Sequence, residues 1–305
     1  MTMTTMDVVV VGSLGLDTIE TKFDRKEDIL GGSVSYACAA SAFFARTGMV
    51  GVAGTDFPQA HLDLFKRLGI DVEGLAIAQG QTFRWSGVYE DDMINRRTLS
   101  TCLNVFADFM PELPASYRTA PYLLLGNISP ELQLHVLDQI QSPRFVIADT
   151  MDLWINIAKE PLLKVIRRVD MLTLNDGEAR LLTNAHNLTA CARKILSMGP
   201  SYVVIKKGEH GAMLVTRQGM YLIPAFPVDN VVDPTGAGDT FAGGFLGCLS
   251  QQPVIDDKSV CKALLHGSVV ASFGVEAFSL GRLETLRKDE IQARLQALKA
   301  MIAIA

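Results

Sequence analysis

The first ordered pattern in the chain is "DVVVVGSLGLD" (7–17), a β-branched run without polar alternation that ends in glycines. A strand buried on both faces reads this way, because neither face needs polar side chains. "TGMVGVAG" (47–54), "YLLLGN" (122–127), "RFVIADT" (144–150), "MLTLN" (171–175) and "YVVIKKG" (202–208) are strand candidates of the same kind. Between them, "PQAHLDLFKRLG" (58–69), "SPELQLHVLDQI" (129–140), "PLLKVIRRV" (161–169), "DGEARLLTNA" (176–185) and "LTACARKILSMG" (188–199) carry helical patterns. Alternating strands and helices predict an α/β fold with a mostly parallel sheet covered on both faces. The last part is mainly helical: "TFAGGFLGCLSQ" (240–251), "SVCKALLHGSVVASFGV" (259–275) and "RKDEIQARLQALKAMIAIA" (287–305).

One region breaks the alternation. Residues 81–107, "QTFRWSGVYEDDMINRRTLSTCLNVFA", alternate polar and apolar positions without a helical period. They predict antiparallel strands with one wet face. Together with "DTIETKFDRKEDIL" (17–30) they would form a small sheet that closes over a ligand as a lid and excludes water. No repeat, low-complexity tract or linker divides the rest, so residues 1–305 are expected to form one domain with the lid segments inside it.

Composition narrows the function classes. With 49% apolar and 20% charged residues, the 305-residue chain can bury a large core. A formal charge of -5 offers no broad attraction to nucleic acid or an anionic membrane, so neither is expected as a partner. Cys38, Cys102, Cys191, Cys248 and Cys261 are widely spaced without a C-x-x-C pair, which argues for reduced thiols over disulfides or zinc. "MTMTTMDVVVV" lacks the basic region of a signal peptide, and "SVSYACAASAFFA" (33–45) is too short to span a bilayer. A cytoplasmic location is expected.

The chemistry concentrates in "VVDPTGAGDTFAGGF" (231–245). Gly236, Ala237 and Gly238 run directly into a helical pattern, where backbone N–H groups and the helix dipole together attract an anion. Asp239 follows in the first turn and could take a proton from an attacking hydroxyl, as phosphoryl transfer to an alcohol requires. The competing reading is a glycine-rich turn whose aspartate only caps the helix. Elsewhere, Asn175 and Glu178 have the spacing of a capping box. Lys206 and Lys207 follow a strand, and alternation would aim one of them at a nucleotide phosphate. Arg84, Asn127 and Asp149, at strand ends or on the lid, are candidates for substrate contact.

"DPTGAGDTFAGGF" resembles the C-terminal signature of the ribokinase-like, PfkB-type carbohydrate and nucleoside kinases. The resemblance implies a three-layer ribokinase-like sandwich with a β lid, Asp239 as the base, and Gly236, Ala237 and Gly238 as an anion hole. "GSLGLDTIE" is similar to the family's first strand and assigns Asp17 to the substrate. "GGSVSYACAA" (31–40) is similar to its N-terminal signature and assigns Gly31 and Gly32 to the sugar. "GTDFPQAHLDLFKRLGIDVEGL" (54–75) matches the stretch that follows. "LNDGEARLL" resembles the N-x-x-E motif, which ties Asn175 to phosphate and Glu178, through water, to Mg2+. "VVIKKGEHGAML" resembles the strand and turn beside the nucleotide, with Gly208 and Gly211; Lys206 stands where many relatives carry threonine and is the lysine expected to face the phosphate. The likeness extends over about residues 7–295. It implies ATP and Mg2+ as cofactors.

The chain departs from the pattern in places. Ribokinase proper carries an asparagine where this chain has Tyr36 and a lysine where it has Ser33, which turns the expectation away from ribose. Asp233 and Thr235 match the first half of a monovalent-cation site suited to K+, whereas "SFGVEAFSLGRLETL" (272–286) departs from its second half. Tyr36, Trp85 and Phe106 are candidates for a nucleobase slot, or for packing.

The expected activity is ATP-dependent phosphorylation of a hydroxyl, in particular a hydroxymethyl group, on a sugar or sugar derivative. A nucleoside kinase of the same family is the alternative, and a catalytically silent binding protein on this scaffold is the third reading. A dinucleotide oxidoreductase fails for want of G-x-G-x-x-G, and a P-loop kinase for want of G-x-x-x-x-G-K-[ST]. The lid sheet could also pair with a second copy.

Overall fold

The computed structural model describes residues 6–303. Residues 1–5, on which the reading of the leader partly rests, and the last two of the C-terminal helical pattern lie outside it. In chain order the strands are β1 (Val8–Val11), β2 (Gly15–Glu20), β3 (Arg25–Gly31), β4 (Thr47–Gly54), β5 (Ile70–Ala78), β6 (Phe83–Tyr89) and β7 (Arg96–Cys102). They continue with β8 (Tyr122–Leu125), β9 (Phe145–Asp149), β10 (Met171–Asn175), β11 (Tyr202–Lys206), β12 (Ala212–Thr216) and β13 (Met220–Ile223). The helices are α1 (Ser33–Ser41), α2 (Gln59–Arg67), α3 (Pro130–Leu137), α4 (Asp152–Ile157) and α5 (Lys159–Ile166). They continue with α6 (Asp176–Thr183), α7 (Leu188–Leu196), α8 (Ala237–Ser250), α9 (Asp257–Gly274) and α10 (Lys288–Ile302).

Nine strands form one sheet in the order β13-β12-β11-β10-β9-β8-β1-β4-β5. Every neighbouring pair in it is parallel except β11–β12 and β12–β13. The period of two divides each central strand between two cores. Val8 and Val10 join the cluster under α1, α2, α8, α9 and α10, while Val9 and Val11 join the one under α3, α5, α6 and α7. Tyr122 and Leu124 against Leu123 and Leu125 repeat the division. Each fully buried aliphatic side chain stabilises the fold by about 1.5–3 kcal/mol. Exposed ion pairs such as Arg25–Glu27 contribute about 0–1 kcal/mol, so the two apolar layers hold this architecture together.

Helix α1 has all nine residues buried, which explains why its small-residue sequence shows no amphipathic stripe. It lies between the sheet and α8, inside the core rather than in a bilayer. Among the described residues no helix is long and apolar enough to cross a membrane. All five cysteines are free: Cys38, Cys191 and Cys248 are buried, Cys102 is exposed, and Cys261 is intermediate.

The two segments expected to form a lid supply a separate sheet in the order β3-β2-β6-β7. Its outer pairs are antiparallel as expected, but β2 and β6 run parallel, because three strands and two helices (β3, α1, β4, α2 and β5) separate them in sequence. Strands β5 and β13, the two edges of the large sheet, escape the sequence pattern. β5 mixes Asp71, Glu73 and Gly74 among half-buried positions, and β13 has only four residues. Helix α4, six residues long with one buried, is missed for the same reason.

Candidate active site

Strand order in the large sheet reverses at β1: the chain fills β4 and β5 on one side, then β8 to β13 on the other. Open α/β sheets bind ligands in the crevice beyond the carboxyl ends of the strands at such a point. Here those ends bring together Ser13 after β1, Asn127 after β8, Asp149 at the end of β9, Asn175 at the end of β10 and Lys206 at the end of β11.

The N-terminus of α8 faces the same crevice. Gly236 is its N-cap with φ 72°, a left-handed turn that lets the chain leave "DPT" and enter the helix at once. A Cβ on Gly236 would also fall 2.3 Å from the Tyr36 ring. The first amides of a helix lack partners within it, which favours an anion there. The Ala237 N–H donates to the Pro234 carbonyl at 3.2 Å, so of the expected anion-hole amides this one has a partner already.

Asp239 stands in the first turn of α8. Burial, and secondly the Asp149 carboxylate, push its carboxyl up to about 7, against the pull of Lys206 and Arg96. Lys206 donates to both Asp149 oxygens, at 3.0 and 3.3 Å. A Cβ on Gly238 would fall 2.9 Å from Lys206 Nζ, which places that ammonium directly beside the helix start. Asp149 is therefore the anchor of the cationic group, a role that the sequence left among several possibilities. Of the two adjacent lysines, Lys206 is the one turned to the site.

Asn175 and Glu178 form the capping box. Asn175 Oδ1 accepts from the Glu178 N–H at 2.8 Å, and Glu178 Oε2 accepts from the Asn175 N–H at 2.7 Å. The box holds Glu178 next to Lys206 and Asp149. Burial first pushes the Glu178 carboxyl up to about 7, the Lys206 ammonium opposes this, and Asp149 adds to it. Gly208 and Gly211 bound the turn between β11 and β12, closed by the Lys207 N–H donating to the Gly211 carbonyl at 2.8 Å.

The small sheet closes the other side. Cross-strand partners share a face, and the register pairs Asp17 with Trp85, Ile19 with Gly87, Gly87 with Thr98, and Tyr89 with Arg96. These residues form the inner face, where Ile19, Trp85 and Tyr89 pack against Val231 and Phe278 of the large unit. Arg84 lies on the opposite face, engaged by Asp28 and by Asp56, the latter at 3.0 Å, so the geometry removes it from the substrate candidates. Phe106 stacks on Phe109 at 5.6 Å and packs against Phe83, as part of the lid's root.

Asp17 is 4% exposed, and its Oδ1 has no partner among the described residues. A Cβ on Gly31 would fall 2.0 Å from Asp17 Oδ2, so glycine at 31 makes room for the carboxylate. Burial first, then Asp233, push the Asp17 carboxyl up to about 7, while the Gly32 amide opposes them. Gly32 is the N-cap of α1, and Ser33 next to it is tied to Ser13 by its backbone N–H and its hydroxyl. Tyr36 lies in the core with its ring against Gly236, which leaves that ring no free face for a nucleobase. Its hydroxyl is buried without a partner among the described residues. Asn127 accepts from Trp154 Nε1 at 2.8 Å and donates to Met151 Sδ, so α4 and its approach hold it at the crevice.

Asp233 is 1% exposed and accepts from the Thr235 N–H at 2.9 Å and the Ser279 N–H at 3.4 Å. The tail that departs from the family pattern reaches the same place, where the Val275 carbonyl accepts from Val232 and Asp233. Sequence reasoning gave no role to Tyr89 or Arg96. Tyr89 accepts from the Thr235 hydroxyl at 3.2 Å and so bridges the lid to the loop before α8. The only signal for either was their place on one face of an alternating strand, and that face emerges only from the register.

A model of the pfkB family of carbohydrate kinases matches residues 6–285. The chain is similar to the cytidine kinase of Thermococcus kodakarensis, with 31% identity over 252 residues, 81% of this chain and 89% of that protein. The fold is similar to that of the Methanocaldococcus jannaschii nucleoside kinase, with TM-score 0.76, 21% identity, and coverage of 96% of this chain and 99% of that one. It is also similar to aminoimidazole riboside kinase from Salmonella enterica, solved with aminoimidazole riboside and an ATP analogue, with TM-score 0.73, 19% identity, and coverage of 94% and 99%. The carboxylate at the start of α8, the lysine beside it and the covering sheet thus sit on a shared scaffold, and the chain belongs to the pfkB family of carbohydrate kinases, as a phosphotransferase with an alcohol group as acceptor.

Proposed function

We propose that the protein transfers the γ-phosphate of ATP to the hydroxymethyl group of a nucleoside, with Asp239 as general base. The observation that carries the catalytic part is the placement of Asp239 in the first turn of α8, beside the Lys206–Asp149 pair. In this reading Asp17 accepts hydrogen bonds from the sugar hydroxyls, and the backbone at Gly31 and Gly32 lies close to the ring. Ser33 and Asn127 border the same space, with Tyr36 in the core beside Gly236. The acceptor hydroxyl gives its proton to Asp239, and its oxygen bonds to the γ-phosphorus. The bond from that phosphorus to the bridging oxygen breaks, and ADP leaves with the electron pair. Gly236, Gly238 and the Ala237 amide, once released from Pro234, receive the transferring group. Asn175, Lys206, Gly208 and Gly211 border the nucleotide.

Mg2+, when bound, neutralises charge on the terminal phosphates. No three carboxylate, His or Cys groups among the described residues converge to hold a metal directly, so Glu178 fits a magnesium held through water. Asp233, buried without a cationic partner within 4.0 Å among the described residues, fits a monovalent ion such as K+ together with Thr235.

Similarity to the cytidine kinase supports a nucleoside over a free sugar. Arg84, the cationic group that would favour a sugar acid, is turned away and engaged by Asp28 and Asp56, which supports it too. The test is a thermal-shift and ADP-release panel of cytidine, uridine, inosine, adenosine, ribose and deoxyribose. A nucleoside is expected to raise the melting temperature and to release ADP. Activity with ribose alone would replace the nucleoside by a sugar, and no ADP from any member would remove the kinase reading.

β7 is an open edge of the small sheet with every residue exposed. We extend the proposal to a homodimer through that edge, for which light scattering should give twice the 33.2 kDa chain mass. A monomer at micromolar concentration would overturn it.

A further inference from the structure

Asp149 is held more firmly than a partner for one lysine requires. Gln133, 1% exposed, donates from Nε2 to the carbonyls of Gly126 and Asp149 at 3.0 Å each, which ties the end of β9 to that of β8. The Thr150 N–H donates to Asp149 Oδ1 at 2.9 Å, so the carboxylate is fixed as well as its backbone. The register explains how Lys206 reaches it. Thr173 in β10 stands opposite Asp149 on one side and Val204 of β11 on the other, and Lys206, two residues beyond Val204, shares their face. The ion pair therefore arches over β10. Three carboxylates compete for this one ammonium, since Asp149, Glu178 and Asp239 all act on it. Only Asp149 has it within 4.0 Å among the described residues. Paired with Asp239 the ammonium would tie up the base, and paired with Glu178 it would be drawn toward α6. Held by Asp149, its Nζ stands 2.9 Å from where a Cβ on Gly238 would fall, beside the amides at the start of α8. An ammonium has three N–H donors, so one remains for a phosphoryl oxygen after the two Asp149 oxygens are served.

We infer that Asp149 is a positioning residue for phosphoryl transfer, which holds Lys206 away from the base Asp239 and against the start of α8, where the ammonium meets the transferring group. The inference rests on the phosphoryl-transfer reading above. It adds to that reading a carboxylate that touches none of the reacting atoms and acts only through the lysine. Preorganisation is what such a carboxylate supplies, because a cation displaced by about 1 Å from the developing charge forfeits much of its effect. The charges that face Asp239 come from Asp149 on β9, Lys206 on β11, Arg96 on β7 and Asp17 on β2, while burial keeps the Tyr36 hydroxyl of α1 neutral. Asp149 raises the Asp239 carboxyl and Lys206 lowers it, so removing each should move the titration of the base in opposite directions.

The test is a double-mutant cycle on the full-length protein with Asp149→Asn, Lys206→Met and the two combined, using the nucleoside selected by the panel. Each single variant should lower kcat by about 10²-fold and change the acceptor KM by less than about 3-fold. The combined variant should also lie about 10²-fold below wild type, because Asp149 has nothing to position once the lysine is gone. A carboxylate with a separate role, such as holding the metal itself, would make the losses multiply to about 10⁴-fold. The acidic limb of kcat/KM should move to lower pH in Asp149→Asn and to higher pH in Lys206→Met, which a merely structural aspartate would not produce. Should a single variant fail to fold around its unpaired charge, the combined variant buries neither charge and decides by the same comparison with wild type. Multiplying losses, a kcat within about 3-fold of wild type for Asp149→Asn, or limbs that move together would overturn the positioning role. If no member of the panel is phosphorylated by wild type, the proposed function falls, and a readout without turnover decides Asp149. It is the melting temperature with ADP and Mg2+, with and without aluminium fluoride, whose complex imitates the phosphoryl group in flight. Wild type should gain stability from the fluoride and Asp149→Asn should lose that gain, whereas equal gains or none in wild type would overturn the role.

Discussion

Asp239→Asn is expected to lower turnover by roughly 10³- to 10⁴-fold while ATP and acceptor still bind within a few-fold of wild type. Asparagine keeps the shape of the side chain in the first turn of α8, so the helix start and its neighbours Gly238 and Lys206 stay in place. What it loses is the ability to accept a proton. Burial and the Asp149 carboxylate raise the Asp239 carboxyl to about 7, so a fraction of the free protein carries it protonated at neutral pH. The base works only when ionised. The kcat/KM of wild type should therefore rise with pH through about 7 and level off above, and Asp239→Asn should lose that acidic limb together with its rate. Initial rates of ADP release across pH, with calorimetric binding of an ATP analogue, check both halves. A variant that turns over within tenfold of wild type would remove Asp239 from the chemistry.

What could be read from the sequence depended on how local the governing physics was. "VVVV" and "YLLL" declared strands with two buried faces, because burial on both sides needs no knowledge of the partners. "GAGD" declared a helix start with a carboxylate in its first turn, because glycine conformation and the helix entry act within a few residues. The lid segments were legible as alternating strands, but their pairing was not, since the parallel β2–β6 contact joins residues more than sixty positions apart. Arg84 and Arg96 show the consequence. Both are arginines on alternating lid strands, and only the register reveals that Arg84 faces away toward Asp28 and Asp56 while Arg96 faces the crevice. Tyr36 illustrates a different limit. Its place in the signature was legible, yet the contact of its ring with Gly236 joins two motifs two hundred residues apart and turns a candidate slot wall into core. Asn175 and Glu178 could be read as a cap or as a functional pair; the fold shows the cap, and that cap holds Glu178 beside Lys206, where the proposed function uses it.

Asp17→Asn should make the unliganded protein more stable and much less active, a pairing of opposite signs that a merely structural aspartate would not give. The side chain is 4% exposed, has one oxygen without a partner among the described residues, and faces Asp233 and Asp239. Its carboxyl is raised from 3.8 to about 7 in the folded chain, so ionising it there costs more than ionising it in the unfolded chain. The cost is absent below about pH 4, grows between there and about pH 7, and is fully present above, where it amounts to at most roughly 4 kcal/mol. Replacing the carboxylate with a neutral amide removes that cost, so the melting temperature of the variant should exceed that of wild type by several degrees at pH 8 and converge with it near pH 4. On the proposed function the ligand satisfies this charge, with sugar hydroxyls donating to Asp17 Oδ1, which has no partner among the described residues. Losing two hydrogen bonds to a charged acceptor, at about 2 kcal/mol each, should lower kcat/KM by about 10³-fold. Melting curves at the two pH values and steady-state rates with the preferred nucleoside decide the matter. No gain in stability at pH 8 would mean that the charge is already compensated, and an unchanged kcat/KM would place the acceptor away from Asp17.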